Sequence, residues 1–354
     1  MPAISTVEAS STTEDNNKHL NLVKQRMGVA TLNMRTGHQL SGGDLKLAVL
    51  ARELGERGFG LLGMSELRYK GSPQDAVELL GSGDSQGGGC WSMIWSGSKE
   101  KHERGVGLLM DHAWTSALIA WGPVNDRLMW ARFVGDRGQS VTVIVGYSPT
   151  EAGCSTEAEC FYDTLAAQAQ NANQRKDIVI MLGDFNAAVG KDCSSGCIGK
   201  YQPESEPITA TANGERLIRV AAMNNLKVAN TFFQHRPHHQ YTHVSNRASA
   251  CSRRCRVKVK RLLSVKDYIT ISARHMSSVQ DCRAYRGFTW DTDHVLVGMY
   301  MRLSLRAPQK QSAAQRDFDT TLLDSQECRD RFCIQLQNRF ALLDTEPTGA
   351  SSQQ

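Results

Sequence analysis

Along this chain, short apolar runs that end on a polar residue alternate with stretches of helical spacing. The runs Gly28–Met34, Gly58–Glu66, Gly105–Met110, Leu128–Val134, Val141–Tyr147, Asp177–Leu182, Lys266–Ser272 and Val295–Leu303 are too short for ordinary helices. They predict strands, several of them fully buried. Leu47, Leu50, Ala51 and Leu54 recur at the i, i+3, i+4, i+7 spacing of an amphipathic helix. Two more helices are predicted over Thr156–Asn171 and Glu215–Asn225, the second with Asn213 as its N-cap. Many strands on short connections, interrupted by few helices, predict an α/β fold, a four-layered sandwich of two packed, largely antiparallel sheets flanked by helices.

The two ends lack this pattern. Residues 1–26 are rich in Ser, Thr, Glu and Asn without apolar period and predict a disordered arm. The domain then covers 27–306, and 307–354 forms a polar tail with a helix around Leu322–Leu343. With 354 residues, 40% of them hydrophobic, the chain can bury a large core. No apolar run approaches the roughly 18 residues that span a bilayer, and the first residues lack the order of a signal peptide, so the reading is an intracellular protein without a membrane partner. Its 10 cysteines then read as reduced thiols. The C-x3-C pairs Cys193/Cys197 and Cys251/Cys255 have no nearby histidine partner, and that spacing alone is too loose to specify zinc.

Net charge is +5, but its distribution says more. Arg253, Arg254, Arg256, Lys258, Lys260 and Arg261 cluster with no acid among them, which suits a phosphate backbone or nuclear import, and equally a solvated loop. Several predicted strands end on groups that bind cations or phosphates: Asn33, Glu66, Tyr147, Asp184 with Asn186, and Asp293–His294 before the last strand, while Asp267 starts another. Asp184 and Asn186 taken alone also fit a turn that caps its own backbone. If the strand ends converge, they form a set of oxygen donors suited to Mg²⁺, with Mn²⁺ as a substitute, and poorly suited to a soft metal.

The ordered series TLNMRT, GMSELRYKG, RGVGLLM, VGYSPTE, MLGDFNAAVG, NGERL, NNLKVANTFF, KDYITIS and TDHVLV resembles the endonuclease/exonuclease/phosphatase superfamily, with its DNase I-like fold. The resemblance is nearest to the endonuclease domains of non-LTR retrotransposons and the transposon-derived craniofacial-development-protein-like proteins. It implies a Mg²⁺-dependent phosphodiester hydrolase that nicks DNA. It implies Glu66, Asn33 and Asp293 at the metal, Asp184 activating water and Asn186 holding that water or the phosphate. It further implies His294 on a phosphoryl oxygen, Asp267 behind it, and Tyr147 donating to phosphate. Arg35 joins the basic segment as a nucleic-acid contact. Departures are His243 where relatives carry Trp, Lys266 before Asp267, Thr292 in place of Ser, and a Cys/Arg-rich segment where relatives have a short hairpin. A phosphatase or other phosphodiesterase on the same scaffold, and a silent transposon remnant acting as a binding protein, are the alternatives.

Overall fold

A computed structural model describes residues 26–35, 43–79, 90–135, 139–204, 206–249 and 258–303, together with Ser325, Gln326, Arg329 and Cys333. Its first sheet contains β1 (Arg26–Asn33), β2 (Phe59–Ser65), β3 (Val77–Glu78), β4 (Ser92–Ser96), β5 (Val106–Met110), β14 (Val279–Tyr285) and β15 (Leu296–Arg302). They lie in the order β14-β15-β1-β2-β5-β4-β3. The second sheet contains β6 (Leu118–Asn125), β7 (Leu128–Val134), β8 (Ser140–Tyr147), β9 (Ile178–Asp184), β10 (Leu226–Val228) and β13 (Asp267–Ser272), in the order β10-β13-β9-β8-β7-β6. Only the β1/β2 and β8/β9 pairs are parallel, so both sheets are largely antiparallel.

Alternate residues of the central strands divide between the space shared by the two sheets and the outer face of each sheet. Val29, Leu61, Val143, Val145, Ile180, Leu182, Ile269 and Val297 meet between the sheets. Ala30 and Leu62 point the other way, onto Leu47, Leu50, Ala51 and Leu54 of α1 (Gly43–Glu56). Ile144, Met181 and Tyr268 likewise meet Phe161, Tyr162 and Leu165 of α3 (Ser155–Gln174) and Leu217 of α4 (Ala212–Met223). The result is helix, sheet, sheet, helix, as the pattern predicted. Each large aliphatic side chain buried there contributes roughly 1.5–3 kcal/mol. The sheets approach so closely that a Cβ on Gly63 would sit 1.7 Å from Leu182 Cδ1. The short helix α2 (His112–Ala117) adds Trp114 to the inter-sheet core.

The structure differs from the sequence reading in three places. The strands that the pattern did not pick out include the sheet margins β6 and β14, where exposure alternates or the chain carries Gly122 and Pro123. The cap of α4 is Thr211, whose side chain accepts from Gly214 N, while Asn213 turns inward to Pro149 O and Asn186 O. The Cys/Arg-rich insertion does not abolish the hairpin: β11 (His243–Ser249) and β12 (Lys258–Ser264) pair from His243↔Ser264 to Ser249↔Lys258. Arg253, Arg254 and Arg256 lie outside the described residues, as do residues 1–25 and nearly all of the tail. Met1–Pro308 and Gln309–Gln354 form separate units. No helix among the described residues is long and apolar enough to cross a membrane.

Candidate active site

Register brings the polar strand ends together. Across the second sheet, Tyr147 of β8 faces Asp184 of β9, and Asp184 faces Asp267 of β13. In the first sheet, Asn33 and Ser65 are paired at the ends of β1 and β2, and Glu66 follows directly. His294 leads into β15 and forms a bridge with His243 at the start of β11. Gly183, one residue before Asp184, has φ +147°, and a Cβ there would lie 1.9 Å from Gly146 O. The apolar run therefore ends where only glycine fits. Arg35, Glu66, Arg68 and Asn186 all take positive φ, at 55°, 52°, 58° and 44°. Each such residue costs on the order of 1 kcal/mol, and their concentration around one cleft marks it as a place where packing holds strained backbone.

Asn33 links the two sheets. Its Nδ2 donates to Glu66 Oε1 at 3.1 Å and to Asp184 Oδ2 at 2.9 Å, while its Oδ1 accepts from Arg35 N at 2.8 Å. So oriented, Asn33 bridges two carboxylates through its N–H groups. Tyr147 gives its hydroxyl proton to Glu66 Oε1 at 2.8 Å, and Arg68 donates to Glu66 Oε2 at 3.2 Å. Burial and the Glu66 charge push the tyrosine hydroxyl far above its usual range, so it stays a donor. Asp184 Oδ1 accepts from Asn186 N at 2.9 Å, and Asn186 Nδ2 donates to Ser148 O at 3.0 Å.

His294 Nδ1 lies 2.8 Å from Asp267 Oδ2, and its Nε2 lies 3.8 Å from Asp184 Oδ2. Burial opposes charge on this imidazole, but the Asp267 charge and hydrogen bond, with Asp184 and Asp293, prevail and push its pKa up to about 9. The Asp184 carboxyl is raised by burial and by the Asp267 charge, against the pull of His294 and Asn33. Asp267 Oδ1 is buried with no hydrogen-bond partner among the described residues. Thr242 Oγ1 accepts from Asp267 N, and Asn230 Nδ2 donates to Asp267 O, so the backbone beneath this carboxylate is held from two sides.

Asp184, Asp267 and His294 offer ligand atoms within 4.8 Å of one another. With Glu66 across the Asn33 amide, the cleft concentrates carboxylates around one imidazole, a donor set that suits a hard divalent cation. Asp293 stands apart, 44% exposed, with Oδ2 at 3.6 Å from His243 Nε2. Arg35 is exposed at the rim. Lys258, Lys260 and Arg261 lie in the backbone ladder of β12. Sequence reading missed Arg68, Thr242 and Asn230, although Arg68 stands two residues after Glu66 in the same motif. Thr242 and Asn230 carried no chemical signal, because they act through backbone groups.

No protein-family model matches the chain. It is similar to craniofacial development protein 2 of Tragulus javanicus, 29% identical over 300 residues, covering 85% of this chain and 46% of that protein. The chain thus spans about half the length of the curated relatives it matches. Among solved structures, it is similar to AP endonuclease LMAP from Leishmania major, with TM-score 0.53 and 13% identity over 79% of this chain and 88% of that one. The Xenopus laevis APE2 catalytic domain aligns with TM-score 0.51 and 14% identity, over 80% and 94% of the two chains. At these identities the structural likeness speaks to fold.

Proposed function

Because the chain has the fold of the endonuclease/exonuclease/phosphatase superfamily, we propose that it is a Mg²⁺-dependent phosphodiester hydrolase that nicks DNA. The observation that carries this reading is the 3.8 Å between His294 Nε2 and Asp184 Oδ2. That span is too long for a hydrogen bond, and an oxygen placed about 2.8 Å from each group bridges it. A charged imidazole on one side and a buried carboxylate on the other suit a phosphoryl oxygen and an attacking water.

In this reading Asp184 takes a proton from the water as its oxygen bonds to phosphorus, and the bond to the leaving oxygen breaks, the departing alkoxide taking a proton from solvent. Asn186, held by Ser148 O, orients the water or the phosphate. His294 donates from Nε2 to a phosphoryl oxygen, and Asp267 at Nδ1 keeps the imidazole charged and aimed. Glu66, with Asp293 at the rim, would hold Mg²⁺, or Mn²⁺ in its place, while the Asn33 amide, which donates to both carboxylates, serves to space them and not to bind the ion. Bound there, the cation would supply charge neutralisation at the phosphoryl oxygens. Tyr147 and Arg68 fix the Glu66 carboxylate, and Asn33 sets its distance from Asp184. The basic hairpin β11–β12 and Arg35 supply backbone contacts to the nucleic acid, and the same basic run suits nuclear import.

The test is incubation of the purified chain with supercoiled plasmid, in Mg²⁺ and in EDTA. Conversion to the open circle in Mg²⁺ alone is the expected result. No conversion, with hydrolysis of a small phosphate ester retained, would move the assignment to a phosphatase. Loss of both with plasmid binding retained would make the chain a binding protein.

A further inference from the structure

Beside the proposed catalytic centre, His243 and His294 face one another across a β-bridge, with ring centroids 4.7 Å apart. Val244 N donates to Asp293 O at 2.9 Å and Val295 N to Thr242 O at 2.7 Å, so both histidines sit on one backbone clamp. Each imidazole has its Nδ1 engaged: His243 by Ser264 Oγ at 3.2 Å and His294 by Asp267 Oδ2 at 2.8 Å. Each is left with Nε2 to offer. Asp293 Oδ2 lies 3.6 Å from His243 Nε2, and ligand atoms of His243, Asp293 and His294 all fall within 4.8 Å of one another.

We propose that His243, Asp293 and His294 form a second metal site, selective for a borderline divalent ion of the Zn²⁺ type over Mg²⁺. Two imidazole nitrogens and one carboxylate oxygen match the N/O donor preference of Zn²⁺, whereas Mg²⁺ takes oxygen donors and water. Ligand atoms on one tetrahedral ion sit roughly 3.3 Å apart, given bonds of about 2.0–2.1 Å. The 3.6 Å already found between His243 and Asp293 is near that value. The remaining pairs lie within 4.8 Å, so closing on an ion asks for a contraction of at most about 1.5 Å, shared between the exposed Asp293 and the facing rings. The Nδ1 partners fix ring orientation, as outer partners of metal-bound histidines do. Three protein ligands leave one position for water.

Metal binding does not depend on whether the chain cuts DNA. A consequence that does rest on the nuclease reading is inhibition, because an ion on His294 Nε2 takes that nitrogen away from the phosphate.

The experiment is equilibrium dialysis of the purified full chain against Zn²⁺ in excess Mg²⁺, for the wild type, His243→Gln and Asp293→Asn, with folding followed by thermal melts. Thiols elsewhere bind equally in all three, so the readout is the difference. The wild type is expected to hold one equivalent more than His243→Gln at Zn²⁺ concentrations that fill the site, and Asp293→Asn to need at least ten-fold more Zn²⁺ to reach the wild-type level. The visible spectrum with Co²⁺ should show a tetrahedral band that His243→Gln lacks. Equal stoichiometry and equal affinity in all three proteins would overturn the site. Asp293 is at the surface, so its variant keeps the test open should His243→Gln fail to fold.

Discussion

Strand β9 has a buried carboxylate at each end, and their surroundings differ: arginines at one end, a second carboxylate with an imidazole at the other. Asp177, just before the strand, is 1% exposed and accepts from Arg132 at 2.8 and 3.0 Å, from Thr142 at 2.8 Å and from Arg175 at 3.3 Å. Burial works against its charge, yet these donors prevail and hold its pKa below the usual carboxylate range. Asp184, the last residue of the strand, is as deeply buried, but faces Asp267 across the ladder and has no arginine partner among the described residues. Its pKa is raised by burial and by that second carboxylate. Depth alone therefore does not distinguish a structural acid from a chemical one; whether cations alone or a second carboxylate as well surround it does. The first end adds stability, and the second withholds it in favour of a reactive group.

The largest expected effect is at the chemical end. His294→Ala should lower turnover on the order of 10³-fold, about 4 kcal/mol of barrier. Asp267→Asn should cost less, and the double variant little more than His294→Ala alone if the two act as one unit. A rate assay over the four proteins decides this, since additive losses would separate them. Extra Mg²⁺ or Mn²⁺ should restore part of the activity of Glu66→Gln and none of that of His294→Ala, because a cation at Glu66 does not replace a donor at the phosphate.

At the structural end, Arg132→Met strands part of the Asp177 charge and should cost about 3 kcal/mol in a urea melt, with turnover per folded molecule unchanged. The pH dependence sharpens the contrast. The folded-state pKa of Asp177 lies below its ordinary 3.8, so its stabilisation is present above that value and lost on acidification through the lowered folded pKa. The pKa of His294 is raised from 6.5 to about 9, so its contribution is complete below about 6.5 and lost as pH rises through 9. Melts in EDTA should show Asp177→Asn converging with wild type in acid, and His294→Gln converging in alkali. The smallest effect belongs to the basic segment 253–261. Neutralising Arg253, Arg254, Arg256 and Lys258 should flatten the salt slope of DNA binding by about 0.9 for each phosphate that the variant no longer neutralises.

What the sequence made legible follows the same division between interior and margin. Central strands such as β2 and β9, buried along their whole length, stand out as unbroken apolar runs with clear ends. Edge strands such as β6, which has no fully buried residue and carries a glycine and a proline, have a pattern indistinct from loop. The motif order pointed to a DNase I-like fold and to craniofacial-development-protein-like relatives, and the two packed sheets and the matched relatives bear this out. Asp184, Asp267 and His294 could be named from their strand ends, but not the 3.8 Å gap between His294 and Asp184, because register across the strands sets it. The true cap of α4 is two residues earlier than the expected one, because Asn213 serves the loop after Asp184 instead. His243 appeared only as a departure from a motif; its facing imidazole comes from a segment about 50 residues later.

The division of labour along β9 is tested most directly by comparing Asp184→Asn with Asp177→Asn, each followed by thermal melting and by plasmid nicking in Mg²⁺. Asp184→Asn should melt at or above the wild-type temperature and lose nicking, since it removes an unfavourable buried charge along with the proton acceptor. Asp177→Asn should melt several degrees lower and keep its activity per folded molecule. Wild-type nicking by Asp184→Asn, or a melting loss in that variant as large as in Asp177→Asn, would contradict the assignment.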